Sequence, residues 1–331
     1  MAAWRGVFAL LSVSVALTFG SPLASFPEHL RADSRIVSGW EAEEAQFPYQ
    51  LSMRMVNATG GVTACGATII HSEWGLTAAH CTAGRISIVI RAGTVNVTRP
   101  GLIFETTNYI NHPWYNEDFP TVVQPHDIGL LKFERVLKFN NFIQPIRIHN
   151  SADKNRNYEG HVMTATGWGR TWTGGSSPEN MNWVYLLGVS HETCLEAFRW
   201  SPIIQPSTIC AAYFNVTSQS TCQGDSGGGL TVVDDDGVIS QVGVSSFVSG
   251  SGCHTPIPAG FVRPGHYHEW YLEVTGINFD WSHTTPEPET EPDSESSESD
   301  SESESDSSES DSSESSESEE DPESKPEPEA F

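Results

Sequence analysis

Ser226 stands in the stretch "STCQGDSGG", Ser220 to Gly228. A serine hydroxyl is a poor nucleophile near neutral pH. It becomes useful when a base takes its proton and a carboxylate holds that base in the right tautomer. Two distant segments carry such groups. "LTAAHC" places His80 among small residues, and "QPHDIGLLKF" places Asp127 just before an apolar run. The chain order His, Asp, Ser is one in which this constellation occurs. Taken singly, each residue has an ordinary structural use: packing for a His beside a Cys, a cap or turn for an Asp before a strand, a tight turn for GDSGG. Their coincidence in one chain favours the chemical reading.

Elements must bring the three together. From about Ile36 to Gly276 the chain is built of short apolar or alternating runs, such as "ISIVIRAG", "HVMTATGWG" and "VISQVGVSSF", separated by Gly, Pro and Asn. That rhythm predicts an all-β barrel or sandwich. A body of roughly 240 residues is long enough for one large or two small cores. Near its end, Tyr267, Trp270, Tyr271 and Val274 fall at i, i+3, i+4 and i+7, which predicts an amphipathic helix of about three turns after Pro264.

Charge sets this body apart from the C-terminal segment. The 331 residues carry a formal −26, but residues 283–331 hold 20 of the 43 acidic residues and one of the 17 basic ones. This Ser/Glu/Asp-rich tail has almost no apolar residues to offset chain entropy, so the expectation is a disordered segment. The body is mildly acidic and lacks the basic patch that phosphate contacts need, which argues against nucleic acid. At the other end, Arg5 precedes an apolar run from Val7 to Phe19 that is short for a membrane span, with small or polar residues after it. Residues 1–20 therefore read as a signal peptide, with no membrane anchor, and the chain as secreted. The even count of six cysteines (Cys65, Cys81, Cys194, Cys210, Cys222, Cys253) fits three disulfides, for which 15 pairings exist. Asn57, Asn96 and Asn215 begin N-x-T sequons, candidate glycosylation sites.

The segments "IVSGWEAEEAQFPYQ", "TAAHC", "DIGLLKF", "TGWG" and "CQGDSGGG" together resemble the chymotrypsin-family serine proteases, and most closely the arthropod chymotrypsin-like and brachyurin-like members with three disulfides. The resemblance covers Ile36 to about Gly276. It implies two packed six-stranded antiparallel β-barrels with the site between them, a C-terminal helix, and the pairs Cys65–Cys81, Cys194–Cys210 and Cys222–Cys253. It implies His80, Asp127 and Ser226 as catalytic residues and the backbone N–H groups of Gly224 and Ser226 as an oxyanion hole. Ser246 matches a serine that supports the aspartate, and Ser246, Phe247 and Val248 match an edge that pairs with substrate. Cleavage after Arg35 would free the ammonium of Ile36 to bury against Asp225, so residues 21–35 read as an activation propeptide and 36–282 as the protease domain. Two positions depart from the family pattern: Ser38 stands for a glycine and Gly229 for a proline.

By the same resemblance Ser220 lies at the base of the primary specificity pocket, with Gln223, Val248 and Ala259 around it. Ser220 carries no charge, so a buried cationic side chain would lack a partner. The expectation is a chymotrypsin-like to elastase-like preference for apolar residues. The implied partners are protein or peptide substrates, an activating trypsin-like protease and protein inhibitors such as serpins, acting on a monomer. No cofactor or metal is implied for the body, because "RAGTVNVTRPGLIFE" lacks the acidic cluster of a calcium loop. A second reading of a different class is a cation- or matrix-binding protein in which the acidic tail gathers Ca²⁺ or basic proteins.

Overall fold

A computed structural model describes residues 39–283 of the chain. The signal, propeptide and tail expectations, with Arg35 and Ile36, lie outside the described residues. A two-residue opening strand, β1 (Trp40–Glu41), precedes the seven strands of a first sheet: β2 (Gln50–Asn57), β3 (Val62–His71), β4 (Trp74–Thr77), β5 (Arg85–Ala92), β6 (Leu102–Thr106), β7 (Tyr109–Asn111) and β8 (Gly129–Lys132). The short β9 (Arg147–Ile148) leads to the second set: β10 (Val162–Gly167), β11 (Asn182–Gly188), β12 (Thr208–Tyr213), β13 (Gly229–Val233), β14 (Ile239–Phe247) and β15 (Ala259–Val262).

Alternation explains why these segments are strands. In β2, Leu51, Met53 and Met55 are almost wholly buried, and in β5 Ile88, Ile90 and Ala92 are, while Val89 and Arg91 between them are only partly buried; Ile86, skipped at a bulge where Val56 pairs with Ser87 and Asn57 with Arg85, is exposed. A period of two places one set inward and the other outward. Leu51, Met53, Ile69, Leu76, Ile88, Ile90 and Leu130 gather in the first core. Met163, Val184, Leu186, Ile209, Leu230 and Phe261 gather in the second.

Of the two expected barrels, the second closes. Its order runs β11-β10-β13-β14-β15-β12, and β12 returns to pair with β11 through Leu186 opposite Tyr213 and Gly188 opposite Ala211. The first is a curled sheet in the order β6-β5-β2-β3-β4-β8-β7, without a ladder joining its ends. The physical reason lies at one corner. The Thr106 hydroxyl donates to the Lys132 carbonyl at 2.6 Å, and the Lys132 N–H donates to the Asn108 carbonyl at 3.0 Å. A side chain and a loop carbonyl take the place of strand pairing between β6 and the β7–β8 hairpin.

Buried polar side chains join the two sheets. Thr68 donates to the Gln241 side chain at 2.7 Å, and Thr166 donates to Gln50 at 2.9 Å. The three disulfides are the pairs that the resemblance implies. Cys65–Cys81 ties β3 to the one-turn helix α1 (Ala79–Thr82). Cys194–Cys210 ties α2 (His191–Ala197), which Ser190 caps by accepting the Thr193 N–H, to β12. The expected C-terminal helix is α3 (His268–Thr275), preceded by a 3-10 turn at Pro264–His266 and ended by Gly276 at φ 71°. Its Tyr267, Trp270 and Tyr271 pack into the first core. Packing continues to the last described residue: the Trp281 indole donates to the Ile148 carbonyl at 2.8 Å, and His283 meets Asp153 at 2.7 Å.

Phe261 is fully buried inside the closed barrel. Phe261→Ala is expected to destabilise the protein by about 3–5 kcal/mol through lost transfer energy and a cavity. Urea unfolding checks this: the midpoint should fall with little change in slope. Val233→Ala on the exposed face of β13 should stay within about 0.5 kcal/mol of the parent.

Candidate active site

His80 and Asp127 both sit on connections between strands of the first sheet. The chain leaves β4, turns into α1 and places His80 there, pinned by the neighbouring Cys81 disulfide. Asp127 precedes β8, on a backbone forced round by His126 at φ 58°. Its Oδ1 accepts the His80 backbone N–H at 2.8 Å, and its Oδ2 accepts His80 Nδ1–H at 2.7 Å. A carboxylate only accepts, so Nδ1 carries the proton and Nε2 keeps its lone pair. Burial pushes the His80 imidazole down, but the charge and hydrogen bond of Asp127 outweigh it and raise the group above its ordinary value. Burial pushes Asp127 up, yet facing His80 and its three hydrogen bonds hold it below the carboxylate range.

The second sheet reaches the same carboxylate through an irregularity. Ser245 pairs with Phe261 and Phe247 with Gly260, so Ser246 is the extra residue of a β-bulge. A bulge re-aims a side chain, and Ser246 Oγ donates to Asp127 Oδ2 at 2.5 Å. Ser226 comes from the loop before β13, and its carbonyl accepts the Gly66 N–H at 2.7 Å. His80, Asp127, Ser226, Gly224 and Ser246 all line one cleft of about 520 Å³. Around Ser226 the amides divide. Asp225 N–H goes to the Cys222 carbonyl and Gly227 N–H to the Ser245 carbonyl, while among the described residues nothing accepts the N–H groups of Gly224 and Ser226. Gly224 holds φ 104°, a backbone open to glycine.

Asp225 is buried beside them. Its oxygens accept the Gly169 N–H at 2.7 Å and the Cys222 N–H at 2.9 Å. A Cβ on Gly167 or Gly169 would collide with this carboxylate, which explains both glycines of "TGWG". Burial pushes Asp225 up to about 6 despite the two backbone bonds, and no cation among the described residues pairs with it.

Comparison with known proteins fits this geometry. The sequence profile of the family described as Trypsin matches residues 36–271. The chain belongs to the trypsin family. It is a serine endopeptidase of that family. Its relatives include a collagenase of Hypoderma lineatum, 32% identical over 82% of this chain and 98% of its own. The chymotrypsin-like elastase family member 1 of Rattus norvegicus is 30% identical over 77% and 94%. Trypsin 5G1 of Aedes aegypti is 30% identical over 79% and 93%. A solved structure, HL collagenase, superposes with a TM-score of 0.65 at 31% identity over 73% of this chain and 99% of its own.

In this trypsin-family cleft, Gln223, Phe247 and Val248 are lining residues. The far end of the Phe247 ring occupies the space a Cβ on Gly260 would need, and the ring meets Phe198 edge-on at 5.2 Å. Ser220 and Ala259 are buried and not among the cleft's lining residues. Val248 packs against the core cluster that contains Ala259 and also lines the cleft. Three lining features escaped the sequence reading. Thr221 offers a buried hydroxyl that has no partner among the described residues. Pro120 to Val123 form an apolar wall, and Arg85 adds a cation. Their only signals were adjacency to Ser220, to Asp127 and to Cys81. The Cys65, His80 and Cys81 ligand atoms cluster closely, but both sulfurs are spent in the disulfide, so they are no metal site. Of the sequons, Asn215 is exposed, whereas Asn96 Nδ2 is bonded to Asn180 at 2.7 Å.

The His80 imidazole should titrate above the ordinary value of about 6.5, because Asp127 favours its charged form. Asp127→Asn removes that charge and leaves burial, so the midpoint should drop below the ordinary value. NMR titration of the imidazole in both proteins checks the sign.

Proposed function

We propose that the chain is a secreted zymogen, cut after Arg35, whose His80, Asp127 and Ser226 hydrolyse peptide bonds next to apolar residues of small to medium size. The observation that carries this reading is the Asp127 carboxylate, which grips His80 by both its backbone and its ring and accepts Ser246 as well. Nε2 of His80, which has the disulfide-bonded Cys81 sulfur beside it at 3.7 Å and no donor on it among the described residues, takes the Ser226 proton as Oγ attacks the substrate carbonyl. The imidazolium that forms is stabilised by Asp127, which stays ionised. The unpaired N–H groups of Gly224 and Ser226 receive the oxyanion, a charge present only in the tetrahedral intermediate. His80 then returns the proton to the leaving amine, and water repeats the sequence to release the acid.

Ser246 to Val248 take the acyl side of the substrate as an added strand. Val248 limits the depth of the specificity pocket and Ser220 leaves it uncharged, which favours residues such as Leu, Met or Ala over Lys and Arg. Three disulfides favour an oxidising, extracellular setting. The role of the acidic tail falls outside the described residues.

Ser226→Ala is expected to lower kcat about 10⁶-fold on a labelled peptide with an apolar residue before the scissile bond. Substantial turnover by pure Ser226→Ala protein would sink the assignment.

Activation follows from Asp225. Its raised pKa means that the stability it lends is present below about pH 4 and lost as pH rises through about 6, unless a cation joins it. The Ile36 ammonium is that cation. Arg35→Gln should give a folded, inactive protein whose stability falls by up to about 3 kcal/mol across that window. The cleaved parent should lack this loss. Thermal melts from pH 4 to 8 together with the peptide assay check it; full activity without cleavage at Ile36 would rule it out.

A further inference from the structure

We propose that Arg85 selects acidic residues on the leaving-group side of the scissile bond. The inference rests on Ser226 as nucleophile and on Ser246 to Val248 as the acyl-side edge, and it concerns the opposite half of the cleft. We assign to that half the lining residues Thr63 and Ala64 of β3, whose Gly66 N–H donates to the Ser226 carbonyl at 2.7 Å, together with the Cys65–Cys81 disulfide, Met55 and Arg85. Arg85 begins β5, four residues after Cys81. Its Nε–H donates to the Cys81 carbonyl at 3.2 Å, which fixes the plane of the guanidinium beside the cleft.

The charge of Arg85 is uncompensated. Among the described residues no carboxylate lies within ion-pair distance of it. The other ionisable lining groups, His80 and Asp127, are bonded to each other, and Asp127 is buried. Arg85 is half-buried, so its field is less screened than that of a free surface arginine. Its remaining donors match a carboxylate in bidentate geometry. A peptide running past Ser226 away from Val248 therefore meets one positive group and, among the lining residues, no free negative one. Glu or Asp in the first two positions after the cut bond gains a partner there, and Lys or Arg is repelled.

The test uses the full chain cleaved after Arg35 and quenched peptides that differ only at those two positions, carrying Glu, Gln or Lys. The readout is the Glu-to-Lys ratio of kcat/KM, compared between variants. The acidic tail is the same in each, so the comparison isolates Arg85. Arg85→Gln should lower the ratio about fivefold at low salt and less at high salt. Arg85→Lys should keep most of it, and Arg85→Glu should invert the preference. A ratio unchanged in Arg85→Gln overturns the proposal. Binding of the same peptides to Ser226→Ala protein, read by fluorescence anisotropy, supplies the arm that needs no turnover. If the parent cleaves none of the peptides, the reading of Ser226 fails, and equal binding of Glu and Lys peptides in this arm would overturn the Arg85 proposal separately.

Discussion

A buried carboxylate held by both halves of the fold is the constraint on which the site depends. Asp127 sits on a connection between strands of the first sheet, as does His80, while Ser246 reaches it from the second. An isolated carboxylate in such a place would take up a proton. Three donors, one of them able to carry positive charge, reverse that tendency and keep the group ionised. Any movement that separates the sheets strips donors from this oxygen pair. The buried bonds of Thr68 to Gln241 and Thr166 to Gln50 resist such movement from behind. Asp225 shows the contrast. It is equally buried, receives only two backbone N–H bonds, and is pushed up instead of down. Two carboxylates in one loop-lined region thus differ in direction because one has a charged partner among the described residues and the other does not.

Around these groups the regular ladders give way to irregular backbone. His126 takes φ 58°, Gly224 takes φ 104°, and Ser246 is the extra residue of a bulge. Each departure falls next to a group that faces the cleft. A plain strand alternates its side chains and would turn Ser246 away from Asp127; the bulge removes that alternation for one residue. The closed barrel holds β14 by β13 and β15 on either side, which lets the ladder tolerate the interruption. Conformations of this kind persist where surrounding structure over-determines them.

Much of this was legible in the sequence, for reasons that differ by element. The all-β class followed from alternating runs such as "ISIVIRAG", and the helix from the spacing of Tyr267, Trp270 and Tyr271, all buried as that spacing requires. Closure was less accessible. Whether β12 returns to β11, or a Thr106 hydroxyl fills the corner of the first sheet, depends on pairings between residues far apart in sequence. At the site, residue types announced His80, Asp127 and Ser226, because few other uses explain them together. Orientation was hidden. Ser220 and Val248 were both named as pocket residues, yet only the structure shows that Val248 lines the cleft while Ser220 is buried and does not line it. Arg85 carried no motif, and its importance arises from the Cys81 carbonyl that holds it.

The apolar lining bears on how such a cleft can discriminate. Apolar burial stabilises by about 25 cal/mol per Å², or about 0.8 kcal/mol per methylene. On the proposed reading, in which Val248 restricts the specificity pocket, a single side chain buries fewer methylenes and supplies less selectivity. The apolar surface that remains lies along the wall from Pro120 to Val123, where Val122 and Val123 are largely open to solvent, with Phe119 beside them. A substrate that covers this wall recovers apolar contact over several residues, none of them dominant. The lining also includes Met55, Thr63, Ala64, the Cys65–Cys81 disulfide and Arg85, and of these Arg85 alone carries a charge. On the proposed readings of this cleft, recognition is spread along the peptide: graded and apolar before the cut bond, governed by charge after it.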